Sequence, residues 1–144
     1  MIRSMDHVSI VVADLESAKA FFGVLGFEVE HDSVIRGKIF ADYMGVEGIE
    51  ANHVTMVMPG SSPRFDVQLV HYQHPDAVDD PEIHNLAKLG YNHVGYAVDD
   101  VEAMVEKVRA NGFETRGDIL NYHDRKLVFL EGPGGVTVEL AEWH

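Results

Sequence analysis

The chain contains no cysteine, which removes disulfides and thiolate metal sites from consideration. It has no apolar run near the ~20 residues needed to cross a bilayer. The opening stretch, MIRSMDHVSI, lacks the basic, apolar and small-residue succession of a signal peptide, so a cytoplasmic location is the expectation. Basic residues are scarce: 11 Lys and Arg stand against 24 Asp and Glu, for a formal net charge of −13. The basic stripe that nucleic acid requires is therefore missing, and an anionic membrane surface is disfavoured. The acidity reads as a device for solubility. The expected partner is a small molecule.

What is plentiful is histidine, with nine copies. Without thiolates, any metal would have to rest on His, Glu, Asp, Gln or water. A length of 144 residues is in the range of one domain and is enough to bury a core. A composition of 46% hydrophobic and 24% charged residues is that of a globular protein.

The chain also repeats itself. "DHVSIVVADLESAKAFFGVLGFEVE" near the start is answered by "NHVGYAVDDVEAMVEKVRANGFETR". His7 and His93, Gly26 and Gly112, and Phe27 and Phe113 are all 86 residues apart, and 8 of 22 aligned positions are identical without a gap. Residues 5–12 read as a mostly buried strand, and Asp14 reads as a helix N-cap. Leu15, Ala18, Phe22 and Leu25 then fall on one helical face, and Gly26 is the stop. The second copy has a strand over 93–98, a cap at Asp100, an apolar face of Val101, Met104, Val105 and Val108, and a stop at Gly112.

Beyond the helices the copies differ in length. Residues 27–31, 38–43, 52–58 and 65–72 read as strands in the first copy, and 116–118, 126–131 and 136–143 in the second. "EGPGG" marks a turn between the last two. The closing strands compare as "DVQLVHY" and "TVELAEW", which sets Gln68 against Glu139. The stretch "HPDAVDDPEIHNLAKLGY" reads as a linker loop with a turn or two of helix over 81–89. Two modules, about 1–74 and 91–144, are expected to pack as one domain, because each alone is small for a core.

Four residues are thus marked by the duplication: His7 and Gln68, then His93 and Glu139. If a pseudo-twofold axis relates the halves, two imidazoles, an amide oxygen and a carboxylate can converge, a set suited to a borderline divalent cation. Glu139 lies on an otherwise apolar strand, where a carboxylate is costly without a cationic partner. His53, within the apolar "HVTMVM", would sit on a strand lining the same place and is a candidate substrate contact or catalytic group. His31, His71, His74, His84, His123 and His144 follow no pattern and read as surface or loop residues.

"DHVSIVVADLESAKAFFGVLGF", "NHVGYAVDDVEAMVEKVRANGF" and "PGGVTVELAEW" resemble the glyoxalase/bleomycin-resistance/dioxygenase group, the vicinal oxygen chelate superfamily. The resemblance covers nearly the whole chain and is weakest over 31–50 and 73–90. It implies an α+β fold of two paired βαβββ modules, whose curved mixed sheets form a cupped metal site. It also implies metal ligands at His7, Gln68, His93 and Glu139. Their order is most similar to that of methylmalonyl-CoA epimerase or glyoxalase I, the latter more often carrying glutamate where Gln68 stands.

The activity implied is that of a divalent-metal-dependent lyase or isomerase, with Ni, Co, Mn, Zn or Fe as the ion. It would act through a metal-stabilised enolate on a small oxygenated substrate. Glu139 is the candidate base, with His53, Glu47, Glu50 and Tyr43 as weaker second groups; an amide such as Gln68 has no useful proton affinity. Two alternatives stand beside this: an extradiol-type Fe(II) ring-cleaving dioxygenase, and a binding protein that sequesters an antibiotic without turnover. A homodimer is expected, with ligands from one chain or from two.

Overall fold

The computed structural model describes residues 1–144 and divides into two compact units, Met1–Asp79 and Asp80–His144. The first unit runs β1 (His7–Val11), α1 (Leu15–Val24), β2 (Glu28–Arg36), α2 (Lys38–Met44), β3 (Glu50–Val57) and β4 (Asp66–His74). The second runs β5 (His93–Ala97), α3 (Val101–Ala110), β6 (Thr115–Tyr122), β7 (Arg125–Glu131) and β8 (Thr137–Trp143). Each holds one four-stranded mixed sheet, in the orders β1-β4-β3-β2 and β5-β8-β7-β6. The fold is therefore α+β, two modules of one plan. No helix is long and apolar enough to cross a membrane.

The helices form where the caps and periodicity place them. Asp14 accepts from Ser17 N at 2.9 Å and Asp100 from Ala103 N at 2.8 Å, each satisfying an otherwise unpaired first-turn amide. Both helices stop at a glycine in the left-handed region, Gly26 at φ 103° and Gly112 at φ 83°, where a Cβ would be strained. In the first unit α1 buries Phe21 and Phe22. Their rings begin an edge-to-face series that continues through Phe27 to Phe65, with centroids 5.2 to 5.8 Å apart. The second unit is aliphatic instead. Val101, Val105 and Val108 of α3 are buried, as are Leu130, Val138 and Leu140 of its sheet.

Several expectations are corrected. Residues 38–43 form the helix α2, not a strand, and β2 is longer than 27–31. Gly37 at φ 89° breaks the strand, Gly45 at φ 67° caps the helix, and Lys38 pairs with Asp42 one turn on. An apolar run this short does not separate helix from strand by pattern alone. Residues 81–89 carry hydrogen bonds only three residues apart, from Ile83 N to Asp80 O and from Lys88 N to Asn85 O. They make isolated turns rather than a helix. The strand expected at 116–118 extends over β6, with a register break between Arg116 and Leu120 and Gly117 at φ 76° inside it.

The stretch before β5 is tied to the second sheet. Arg116 of β6 reaches Glu131 of β7, Thr137 of β8 one strand beyond, the carbonyl of Gly135, and His84 Nδ1 from the turn segment.

Candidate functional site

The pairing registers test the equivalences inferred from the repeat. In the first sheet β1 runs parallel to β4 with Ser9 beside Gln68. In the second β5 runs parallel to β8 with Gly95 beside Glu139. Ser9 and Gly95 are 86 residues apart, the same offset that relates His7 to His93. Gln68 and Glu139 therefore occupy equivalent places in the two sheets. Side chains alternate across a strand, so each histidine and its oxygen-bearing neighbour point to the same face of their sheet.

The two histidines are held alike. His7 Nδ1–H donates to Asp6 Oδ2 at 2.6 Å, and His93 Nδ1–H donates to Asn92 Oδ1 at 2.7 Å. With the proton on Nδ1, the lone pair lies on Nε2, the nitrogen a metal would take. A ring fixed by its other nitrogen is the usual arrangement of a metal-binding histidine. In the second unit His93 Nε2 stands 3.9 Å from Glu139 Oε2, and the His93 ring packs edge-on against Phe129 at 5.2 Å. Two donors each about 2.1 Å from one ion stand about 3.0 to 4.2 Å apart, depending on the angle between them, so this pair fits a shared cation. The residue before each histidine was not singled out from the sequence. The "DH" and "NH" of the two copies are the signal that marks it.

In the first unit Gln68 is half-buried and accepts from His53 Nε2–H at 3.1 Å. The bond orients the amide so that its oxygen, which has two lone pairs, keeps one for another partner. His7, Ser9, His31, Ser33, His53 and Gln68 all line one cavity of about 520 Å³. His53 is thus on the lining, as expected. His31 is there too, contrary to the reading that made it a surface residue, because β2 continues past it and turns it to the same face as His53. His71 is half-buried, its Nδ1–H donating to Val12 O at 3.0 Å, and His84 is a partner of Arg116. Tyr43 lines the cavity, whereas Glu47 and Glu50 are not among its lining residues. In the second unit Glu139 lines a smaller cavity of about 250 Å³ with Phe129 and Leu127.

Asp100, Glu102 and Glu142 also gather, around the start of α3. Their roles are already filled. Asp100 caps the helix, Glu142 accepts from Val101 N at 2.8 Å, and Lys126 Nζ lies 3.0 Å from Glu102 and 3.3 Å from Glu142. The Val101 amide first, and then the Lys126 ammonium, hold the Glu142 carboxyl below the ordinary range.

Comparison with known proteins places the chain in a family. A curated lactoylglutathione lyase of Schizosaccharomyces pombe is 25% identical over 144 residues, which is 95% of this chain but 44% of that protein. The chain thus spans less than half the length of that relative. The crystal structure of a glyoxalase family protein from Bacillus cereus superposes with a TM-score of 0.88 at 27% identity, covering 99% of this chain and 95% of the other. The fold extends to the fosfomycin resistance protein FosX of Listeria monocytogenes, crystallised with Mn(II) and a dihydroxypropylphosphonic acid. That match has a TM-score of 0.66 at 16% identity over 100% of this chain and 95% of FosX. Residues 6–129 match the family model for these proteins, and the chain belongs to the glyoxalase/bleomycin resistance protein/dioxygenase superfamily.

Proposed function

We propose that the chain is a divalent-metal-dependent enzyme of the lyase/isomerase type that moves a proton on a small oxygenated substrate. The observation that carries this reading is the matched fixing of His7 by Asp6 and of His93 by Asn92, which leaves both Nε2 lone pairs available. The proposed donors are His7 and Gln68 of one module with His93 and Glu139 of the other. Two imidazoles, an amide oxygen and a carboxylate, with no thiolate, suit a first-row ion such as Ni, Co, Mn, Zn or Fe. When bound, such an ion supplies Lewis-acid polarisation of a substrate oxygen, which acidifies the neighbouring C–H.

The chain's own groups then divide the work. Glu139 is the proton acceptor, because it is the donor in the set with a useful proton affinity on oxygen. Gln68 contributes an oxygen but takes no proton. His53 holds the Gln68 amide through Nε2–H, which leaves Nδ1 as its basic nitrogen and makes it the candidate second group. Ser9, Ser33 and His31 offer further polar contacts to the oxygens of a substrate in the cavity of the first module.

Metal analysis of protein purified without chelator tests the ligand assignment. The expected result is close to one equivalent of a divalent ion, and one restored by adding Ni, Co, Mn, Zn or Fe to stripped protein. Less than about a tenth of an equivalent with no uptake would overturn it. A panel of methylglyoxal–thiol adducts and acyl-CoA thioesters, followed by solvent deuterium incorporation, tests the reaction class. Dioxygen uptake with catechols, or tight antibiotic binding without turnover, would replace it with the oxygenase or the sequestering reading. Mixing His7→Ala with His93→Ala chains tells whether the donors come from one chain or two, since recovered metal binding requires two.

A further inference from the structure

The first module carries a helix that the second lacks. Between β6 and β7 the second module has only a turn at residues 123–124, whereas the first carries α2 between β2 and β3. None of the seven residues of α2 is buried. Ala41 rests on the apolar cluster of Ile35, Ile49, Ala51 and Val70. The larger side chains Phe40, Tyr43 and Met44 do not join that cluster. They line the cavity, with exposures of 39%, 85% and 42%. Exposed aromatic and methionine side chains over a concave surface are unfavourable in water unless something covers them.

We propose that α2 makes the cavity of the first module an acceptor for an aromatic ring, so that the substrate is an aryl compound with an oxygenated head. The oxygen end rests on the function proposed above; the ring end rests on the cavity alone. The lining is of two kinds. The histidines, serines and Gln68 are polar, and Ile35, Phe40, Tyr43, Met44 and Val70 supply apolar surface. No Asp, Glu, Lys or Arg is among them, in a chain with 35 such residues. A hydrocarbon group is therefore not opposed by a charge that it would strip of water. A ring suits this wall better than an alkyl chain. Phe40 and Tyr43 can meet it edge-to-face, and the Met44 thioether packs well against aromatic edges. A cavity of roughly 150 Å³ accepts benzene, so about 520 Å³ holds a ring together with its oxygenated head.

The test compares pyruvate with phenylglyoxylate, the same 2-oxo acid head carrying a methyl or a phenyl group. Binding to metal-loaded protein is measured by calorimetry. In parallel, the methyl resonances of Met44 and Ile35 are followed by NMR in loaded and stripped protein. Phenylglyoxylate is expected to bind tighter by on the order of tenfold or more. In the Phe40→Ser/Tyr43→Ser variant the preference for phenylglyoxylate over pyruvate falls to within about twofold. The Met44 and Ile35 methyls shift with phenylglyoxylate and not with pyruvate. Should those shifts occur in protein that takes up no metal, the ring acceptor stands and the metal-dependent function falls. Equal affinities, a preference that survives in the folded double variant, or unmoved Met44 and Ile35 methyls would overturn the proposal. The last measurement uses the unmodified protein, so it decides even if the variant fails to fold.

Discussion

His93 Nε2 and Glu139 Oε2 stand 3.9 Å apart on neighbouring parallel strands, too far for a hydrogen bond and well placed for two ligands of one ion. Glu139→Gln keeps the shape but removes the negative charge and the proton affinity. It should weaken binding of the divalent ion by at least about tenfold and reduce proton exchange on substrate much further than metal content. Titration with a competing chelator beside a deuterium-exchange assay separates the two effects.

Asp6 and Asn92 fix the tautomers of His7 and His93 without lining either cavity. Asp6→Ala and Asn92→Ala should each lower metal affinity by about 10- to 100-fold. Because both pairs are exposed, the melting temperature of the metal-free protein should change little. A large loss of stability with unaltered metal binding would contradict this role.

His53 donates to the oxygen of Gln68. His53→Ala frees the amide to turn, whereas His53→Gln restores a donor at that place. The alanine variant should lose metal affinity and the glutamine variant should regain part of it. If His53 also carries protons, the glutamine variant will bind metal yet remain slow, since an amide has no useful basicity.

Arg116 holds the Glu131 carboxyl below its ordinary value, chiefly by hydrogen bonding. A carboxyl depressed in the folded state contributes stability that is fully present above its unfolded value and lost as pH falls through the folded one. The melting temperature of the native chain should therefore exceed that of Glu131→Gln at neutral pH. The gap should close as the solution is acidified through and below the ordinary glutamate range. Thermal unfolding of both proteins across pH 2 to 7 checks the direction.

Phe22 is fully buried and touches both Phe21 and Phe27 by ring edges. Phe22→Ala should cost about 3 to 5 kcal/mol, read by denaturant unfolding. Gly132→Ala should destabilise for another reason, since a Cβ there would come within 2.6 Å of Val136 O and the backbone would have to move. Gly23→Ala, with nothing within 4 Å and a helical position, should be neutral or stabilising.

Legible in the sequence were the duplication, the helix caps Asp14 and Asp100, the stops Gly26 and Gly112, and the equivalence of Gln68 and Glu139. These rest on local rules: which residue can accept from a first-turn amide, which can take a positive φ, and which positions keep a constant offset. What crosses between strands was beyond such rules. Residues 38–43 satisfy both a strand and a helix pattern, and only Gly37, Gly45 and the packing of Ala41 on the sheet decide for α2. His31 has no local mark of importance. It reaches the cavity because β2 runs on past it and the register with β3 sets it on the face of His53 and Gln68. The same is true of the bond between His53 and Gln68, which are 15 residues apart in sequence. A side chain's partner across a sheet depends on register, and register is a property of the whole sheet rather than of any one strand.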